Sequence, residues 1–218
     1  KVGGHNLFQN LKEQDGYDVV KQALDSGIKL LDTAYIYGKG RSEEIIGEVI
    51  QDYDRSKIVI ATKAAQDPQN NNQINNDPIF LKRAVYDALN RLQTNYIDIF
   101  YIHFPDNITP KNEAVAALNE LKQTGVIHAI GVSNFTPEQL KEANIDGLVD
   151  IVEDHYNLVH RQTEETEWPY LKQNEISFVP YFPLASGLLT GRYTLNDYEK
   201  FADDYNKAEF ETIINALA

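Results

Sequence analysis

The chain has no cysteine and no methionine in its 218 residues. Without a thiol there is no disulfide, no thiolate nucleophile and no zinc–thiolate cluster. Without an initial methionine, Lys1 is expected not to be the native start, and some N-terminal chain is expected to precede it. Long apolar runs are lacking too. No stretch approaches the roughly 20 residues that span a bilayer, and the opening KVGGHNLFQN has no apolar signal core, so no membrane partner is expected and the cytoplasm is the default compartment. Positive charge is scarce: 20 Lys and Arg face 33 Asp and Glu, a formal net charge of −13. That field repels nucleic-acid phosphate and anionic lipid. An anionic cofactor therefore needs a local cationic pocket. HExxH, GxSxG and a GxGxxG after an apolar run are all missing, which leaves zinc hydrolysis, a serine elbow and a dinucleotide-binding doubly wound sheet without support.

The remaining composition, 42% hydrophobic and 24% charged, belongs to a folded domain with a sizeable core. Short apolar runs rich in β-branched residues alternate with amphipathic stretches, the pattern of repeated βα units. The runs at 29–34, 58–63, 97–103, 129–134, 150–157 and 177–184 read as strands, with a further remnant in KVGG. Their near-continuous apolar character predicts parallel strands covered on both faces. Between them, Asp77 and Pro78 open a helix whose apolar face is Leu81, Val85, Ala88, Leu89 and Leu92. Thr136, Pro137 and Gln139 form a capping box, and Gly125 ends the helix before it. The expected fold is α/β, a (β/α)8 TIM barrel forming one domain over 1–218. Because such a barrel usually takes about 250 residues, the chain is expected to be incomplete, lacking an eighth strand and C-terminal helices. The asparagine-rich stretch 64–77 reads as a long polar loop.

Chemistry concentrates at the strand ends. Asp32, with Tyr35 and Tyr37 beyond it, Lys63, His103, Ser133 with Asn134, and Glu153 with Asn157 close successive strands. In a parallel barrel those ends converge on one rim. Each residue alone has an ordinary reading: Asp32 as a turn cap, Lys63 as a solvated terminus, His103 as a structural histidine. Together they suit a proton relay. A phenol, normally titrating near 10, is acidified by a neighbouring ammonium, and a carboxylate keeps that ammonium charged and in place. His103 is suited to hydrogen-bond a substrate oxygen. A carbonyl oxygen that gains a proton as its carbon gains a hydride fits this set. Composition and spacing do not choose between Tyr35 and Tyr37.

The segments LLDTAYIYGKGRSEEIIGEVI, VIATKA, YIDIFYIHFPD, IGVSNF, EDHYNL and YFPLASGLLTGRY, spread from residue 3 to about residue 193, resemble the aldo-keto reductases, especially their bacterial general-stress branch. The resemblance implies a (β/α)8 barrel, NADPH bound without a dinucleotide-binding domain, and reduction of aldehydes and ketones, with a small carbonyl compound as partner and a monomer or weak homo-oligomer as assembly. It implies Tyr37 as general acid, with Asp32, Lys63 and His103 as its partners. It implies Ser133 and Asn134 on the nicotinamide carboxamide, Tyr181 stacked on the ring, and Phe182, Leu184, Gly187 and Leu188 along the pyrophosphate. Glu153 stands where most relatives carry glutamine, placing a charge at the carboxamide and calling for its protonation or for weaker binding; His155 beside it is a surface or core histidine or a compensating group. Relatives also carry a longer loop than TLNDYEKF, so a segment near 196–199 is expected to be missing. Phe104, Pro105, Tyr35 and Trp168 are candidate walls of the substrate pocket. A scaffold that binds the cofactor with little turnover is the competing expectation.

Overall fold

Six near-continuous apolar segments form strands whose side chains alternate between two faces, and all six join one parallel sheet. The computed structural model describes residue 2 and residues 12–217. Its strands are β1 (Leu30–Asp32), β2 (Val59–Ala64), β3 (Gln66–Asp67), β4 (Gln73–Ile74), β5 (Ile97–Ile102), β6 (Ile127–Ser133), β7 (Ile151–His155) and β8 (Ser177–Tyr181). The sheet runs β1-β2-β5-β6-β7-β8, parallel throughout, while β3 and β4 form a separate antiparallel hairpin. The helices are α1 (Glu13–Asp25), α2 (Arg41–Ile50), α3 (Pro78–Leu92), α4 (Lys111–Gln123), α5 (Pro137–Ala143), α6 (Thr163–Thr166), α7 (Trp168–Gln173) and α8 (Lys207–Leu217).

The pleat sorts the side chains. Outward residues Ile60, Phe100, Ile102, Ile130, Val132 and Val152 pack under the helices as the main core. The inward set, one residue out of phase, begins with Ala61, Ile99, Tyr101, Ile151 and Val179, which form a smaller cluster inside the curl. One layer further along the same strands come Lys63, Ser133, Glu153 and Tyr181. The periodicity that makes the sheet therefore also aims the strand-end polar groups into its concave side.

The six expected strands are present with trimmed ends. At β1 the ladder stops at Asp32, and Thr33 and Tyr35 turn away while their amides still donate to Ala61 O and Lys63 O, at 2.9 and 3.0 Å. Pro180, which has no amide hydrogen, is tolerated in β8 because β8 is an edge strand among the described residues. The caps behave as expected. Asp77 accepts from the Ile79 and Phe80 amides, Thr136 and Gln139 close their box, and Gly125 takes a positive φ of 76° after α4. One expectation needs correction. The 64–77 loop contains the β3–β4 hairpin, pinned by Asp67, which accepts from Gln69 N, Asn75 Nδ2 and Arg83 Nη2. Residues 196–199 of this chain fall within the 3-10 helix Leu195–Lys200, boxed by Thr194 and Asp197, which leaves the expected longer loop untested. The KVGG remnant, residue 2 apart, lies outside the described residues. Six curled parallel strands form part of a barrel, and no seventh or eighth strand joins the sheet among the described residues.

Candidate active site

Lys63 is the centre of the rim. It stands one residue before the end of β2, on the inward face, and is almost completely buried. Its ammonium donates to Asp32 Oδ1 at 2.5 Å and to the Thr33 carbonyl at 3.1 Å. β1 pairs with β2 so that Asp32 stands beside Ala61, two residues before Lys63, which brings the carboxylate within reach. Below the ammonium lies the Tyr101 ring, its centroid 5.4 Å away. That ring fills space which Gly131 on β6 leaves open: a Cβ there would sit 2.2 Å from Tyr101 Cδ1. Tyr101 was not singled out from the sequence. The alternation Ile97, Ile99, Tyr101, His103 marks it as inward, but only the tertiary contact shows it as the floor under Lys63.

The two tyrosines of DTAYIYG part company. The Tyr37 ring lies 5.9 Å from the Lys63 ammonium and 6.2 Å, edge-on, from His103. Tyr35 turns the other way, toward Arg91 of α3, whose guanidinium lies 5.2 Å from its ring and pairs with buried Glu43 at 2.7 Å. Burial first, and then the carboxylates of Asp32 and Glu153, hold the Tyr37 phenol well above its ordinary range. Lys63 is within reach of both carboxylates, so its charge is divided between them and the phenol. Such a group is an acid whose proton leaves only when negative charge develops on an acceptor beside it. His103 stacks on Phe104, centroids 4.5 Å apart, which keeps Phe104 at the rim. Trp168 instead packs with Tyr156 and Phe178 in the layer between helices and sheet, away from the rim.

Glu153 joins the same cluster. It stands on β7 opposite Ser133 of β6 and Val179 of β8, and is buried. Its Oε2 lies 3.3 Å from the Lys63 ammonium, within ion-pair range, yet the alignment completes no hydrogen bond and Oε2 has no hydrogen-bond partner. Burial pushes the Glu153 carboxyl up to about 7; Asp32 adds to the rise and Lys63 opposes it. Next to it, Asn134 adopts a left-handed φ of 60°. Its amide donates to His103 O and Ser133 Oγ, at 2.9 and 3.0 Å, and its carbonyl accepts from the Tyr181 hydroxyl at 2.8 Å. The Tyr181 ring is partly exposed and stacks at 8° on His155, which stacks in turn on His160. His155 thus stiffens an aromatic plate.

Comparison with known proteins decides the family. The aldo/keto reductase family model matches residues 1–217. The chain belongs to the aldo/keto reductase family. It is 36% identical over 225 residues to aldo-keto reductase YhdN of Bacillus subtilis, covering 99% of this chain and 67% of that protein. It is 33% identical over 223 residues to the NADH-specific methylglyoxal reductase of Escherichia coli, covering 96% and 68%. Among solved structures, the glycerol dehydrogenase of Gluconobacter oxydans superposes with a TM-score of 0.85 at 32% identity, covering 99% of this chain and 69% of that one. The chain thus spans about two thirds of the length of these aldo/keto reductases.

For an aldo/keto reductase, the groups around Tyr181 fit the nicotinamide end of a dinucleotide. A flat ring beside a hydroxyl and a primary amide offers stacking area and carboxamide partners. Further along, Phe182, Ala185, Ser186 and Gly187 all take positive φ, bending the chain sharply. Leu184 is exposed, whereas Leu188 is fully buried against Phe201 and Phe210, so only its main chain is available to a ligand. Beside this bend opens a cavity of about 930 Å³, lined by His155, His160 and Phe182 and by the carboxylates of Asp203, Asp204 and Glu209. No lysine or arginine lines it among the described residues. This cavity therefore supplies no cation for an anionic cofactor, while Arg192 stands beside the bend, its Nη2 3.8 Å from where a Cβ on Gly187 would sit.

Proposed function

We propose that this protein is a nicotinamide-dependent carbonyl reductase in which Tyr37 protonates the substrate oxygen. The observation that carries the reading is the buried Lys63 with Asp32 at 2.5 Å, and with Tyr37 and His103 facing it across the same rim. When bound, the reduced nicotinamide supplies a hydride to the carbonyl carbon. Tyr37, kept protonated by its surroundings, gives its proton as the oxygen gains charge. Lys63 stabilises the phenolate left behind, and Asp32 keeps Lys63 charged. His103 orients the oxygen. Ser133, Asn134 and the Tyr181 plate hold the nicotinamide, and the bend from Phe182 through Leu184 to Gly187 and Leu188 follows the dinucleotide. NADPH is the proposed form, on the resemblance, with aldehydes and ketones as the substrate class.

The test follows reduced-cofactor oxidation with a panel of small aldehydes, using NADPH and NADH in parallel. Tyr37→Phe is expected to lose roughly 10²- to 10⁴-fold in turnover while still binding cofactor. Tyr35→Phe is expected to stay within about two-fold, because its ring serves Arg91. Unchanged turnover in Tyr37→Phe overturns the assignment. A second reading, a cofactor-binding protein with little turnover, is favoured by one observation: Lys63 is shared with a second carboxylate, Glu153. Tight cofactor binding by the wild type without turnover of any aldehyde selects that reading.

A further inference from the structure

We propose that Glu153 makes the site discriminate between the two charge states of its cofactor, favouring the oxidised, cationic nicotinamide over the reduced, neutral one. The inference rests on the nicotinamide site proposed above and concerns a residue not needed for proton transfer.

Lys63 offers one positive charge, while Asp32 and Glu153 offer two negative ones within 2.5 and 3.3 Å of it. Asp32 and the Thr33 carbonyl take the aligned hydrogen bonds, so Glu153 keeps a buried oxygen without a hydrogen-bond partner. With Glu153 ionised, the cluster therefore carries an excess of one negative charge. The groups facing Glu153 do not cancel it. Lys63 comes from β2, Asp32 from β1, Tyr37 from the turn after β1, Tyr101 from β5 and Tyr181 from β8; Asp154 is its own neighbour on β7. The three phenols are held neutral by burial and by these carboxylates. Lys63 is the one cation in ion-pair contact with Glu153 among the described residues.

Position does the rest. Glu153 is the register partner of Ser133 and lies one inward step before the His155–Tyr181 pair, so the excess charge stands between the groups proposed to hold the carboxamide and the ring. The oxidised and reduced nicotinamides differ by one unit of charge on that ring and little in shape. A unit charge a few ångströms away, in surroundings of effective dielectric about 20, shifts the ratio of their affinities on the order of ten-fold or more. The preference follows the ionisation of Glu153. It is present when the carboxylate is charged and fades as acid protonates it. Oxidised cofactor lowers the proton affinity of Glu153, so its binding releases protons near neutrality, where burial has placed this group.

Dissociation constants for oxidised and reduced dinucleotide are measured by calorimetry from pH 6 to pH 9, in two buffers of different ionisation enthalpy, on the wild type, Glu153→Gln and Glu153→Asp. The ratio of reduced to oxidised dissociation constants is expected to rise with pH in the wild type and to be about ten-fold lower in Glu153→Gln at the alkaline end. In Glu153→Gln the ratio should stay flat and the proton release disappear. Glu153→Asp, which keeps the charge, should retain most of the preference. Equal ratios in wild type and Glu153→Gln, with both forms bound, overturn the proposal and leave the nicotinamide site standing. A wild type that binds neither form overturns the site reading and the proposal with it.

Discussion

Lys63 has three hydrogens to donate and three oxygens around it, and the third, on Glu153, is the one that is badly aligned. A buried carboxylate in that position costs stability when charged. Its folded value lies near 7 against an ordinary 4.5, so between these values the folded chain holds a proton that the unfolded chain has released. Stability therefore falls as pH rises through that window. Relative to Glu153→Gln, the wild type is expected to lose roughly 2.5 kcal/mol between pH 5 and pH 8, the attraction of Lys63 being already contained in the folded value. Urea unfolding of both proteins at the two pH values checks this; a parallel pH response in the two contradicts it. The residue types at this centre were legible as strand endings, and the resemblance selected Tyr37. The diversion of Lys63 was not, because it depends on a carboxylate 90 residues away in the chain meeting the ammonium across two intervening strands.

At the scale of elements, helices were more legible than the loop before α3. Asp77 accepts from two backbone amides at the start of α3, a local pattern that needs nothing from the rest of the fold. Asp77→Ala is expected to cost about 1 kcal/mol, read as a lower urea midpoint with an unchanged slope. The β3–β4 hairpin was missed because QDPQNNNQI has no apolar alternation; a largely buried Asp67 and Arg83 from α3 hold it instead. Strand β6 carries a constraint of another kind. Gly131→Ala would drive a methyl group into the Tyr101 ring on the neighbouring strand, and overpacking of this sort costs typically 1 to 3 kcal/mol. Because Tyr101 lies under Lys63, turnover is expected to fall with stability in that variant. Thermal melts alongside assays at a permissive temperature separate the two effects.

For the whole molecule, charge dominates. With a formal −13 on the chain and carboxylates around the cavity beyond Tyr181, the long-range field opposes an incoming dinucleotide. Its association rate is therefore expected to rise as salt goes from about 10 to 150 mM and shortens the Debye length to about 8 Å. Stopped-flow quenching of Trp168 fluorescence measures it, and a rate that falls with salt identifies cationic steering instead. The sequence by itself determined the parallel strands, their two faces and the polar groups at their ends, because period-two alternation and capping act between residues close in the chain. It also carried the family, through motifs that survive as strings. Only the tertiary structure decided what lies beneath Lys63, where Tyr35 turns and how the charge of Lys63 is divided, because ion pairing and desolvation depend on distances between strands that the chain order does not contain.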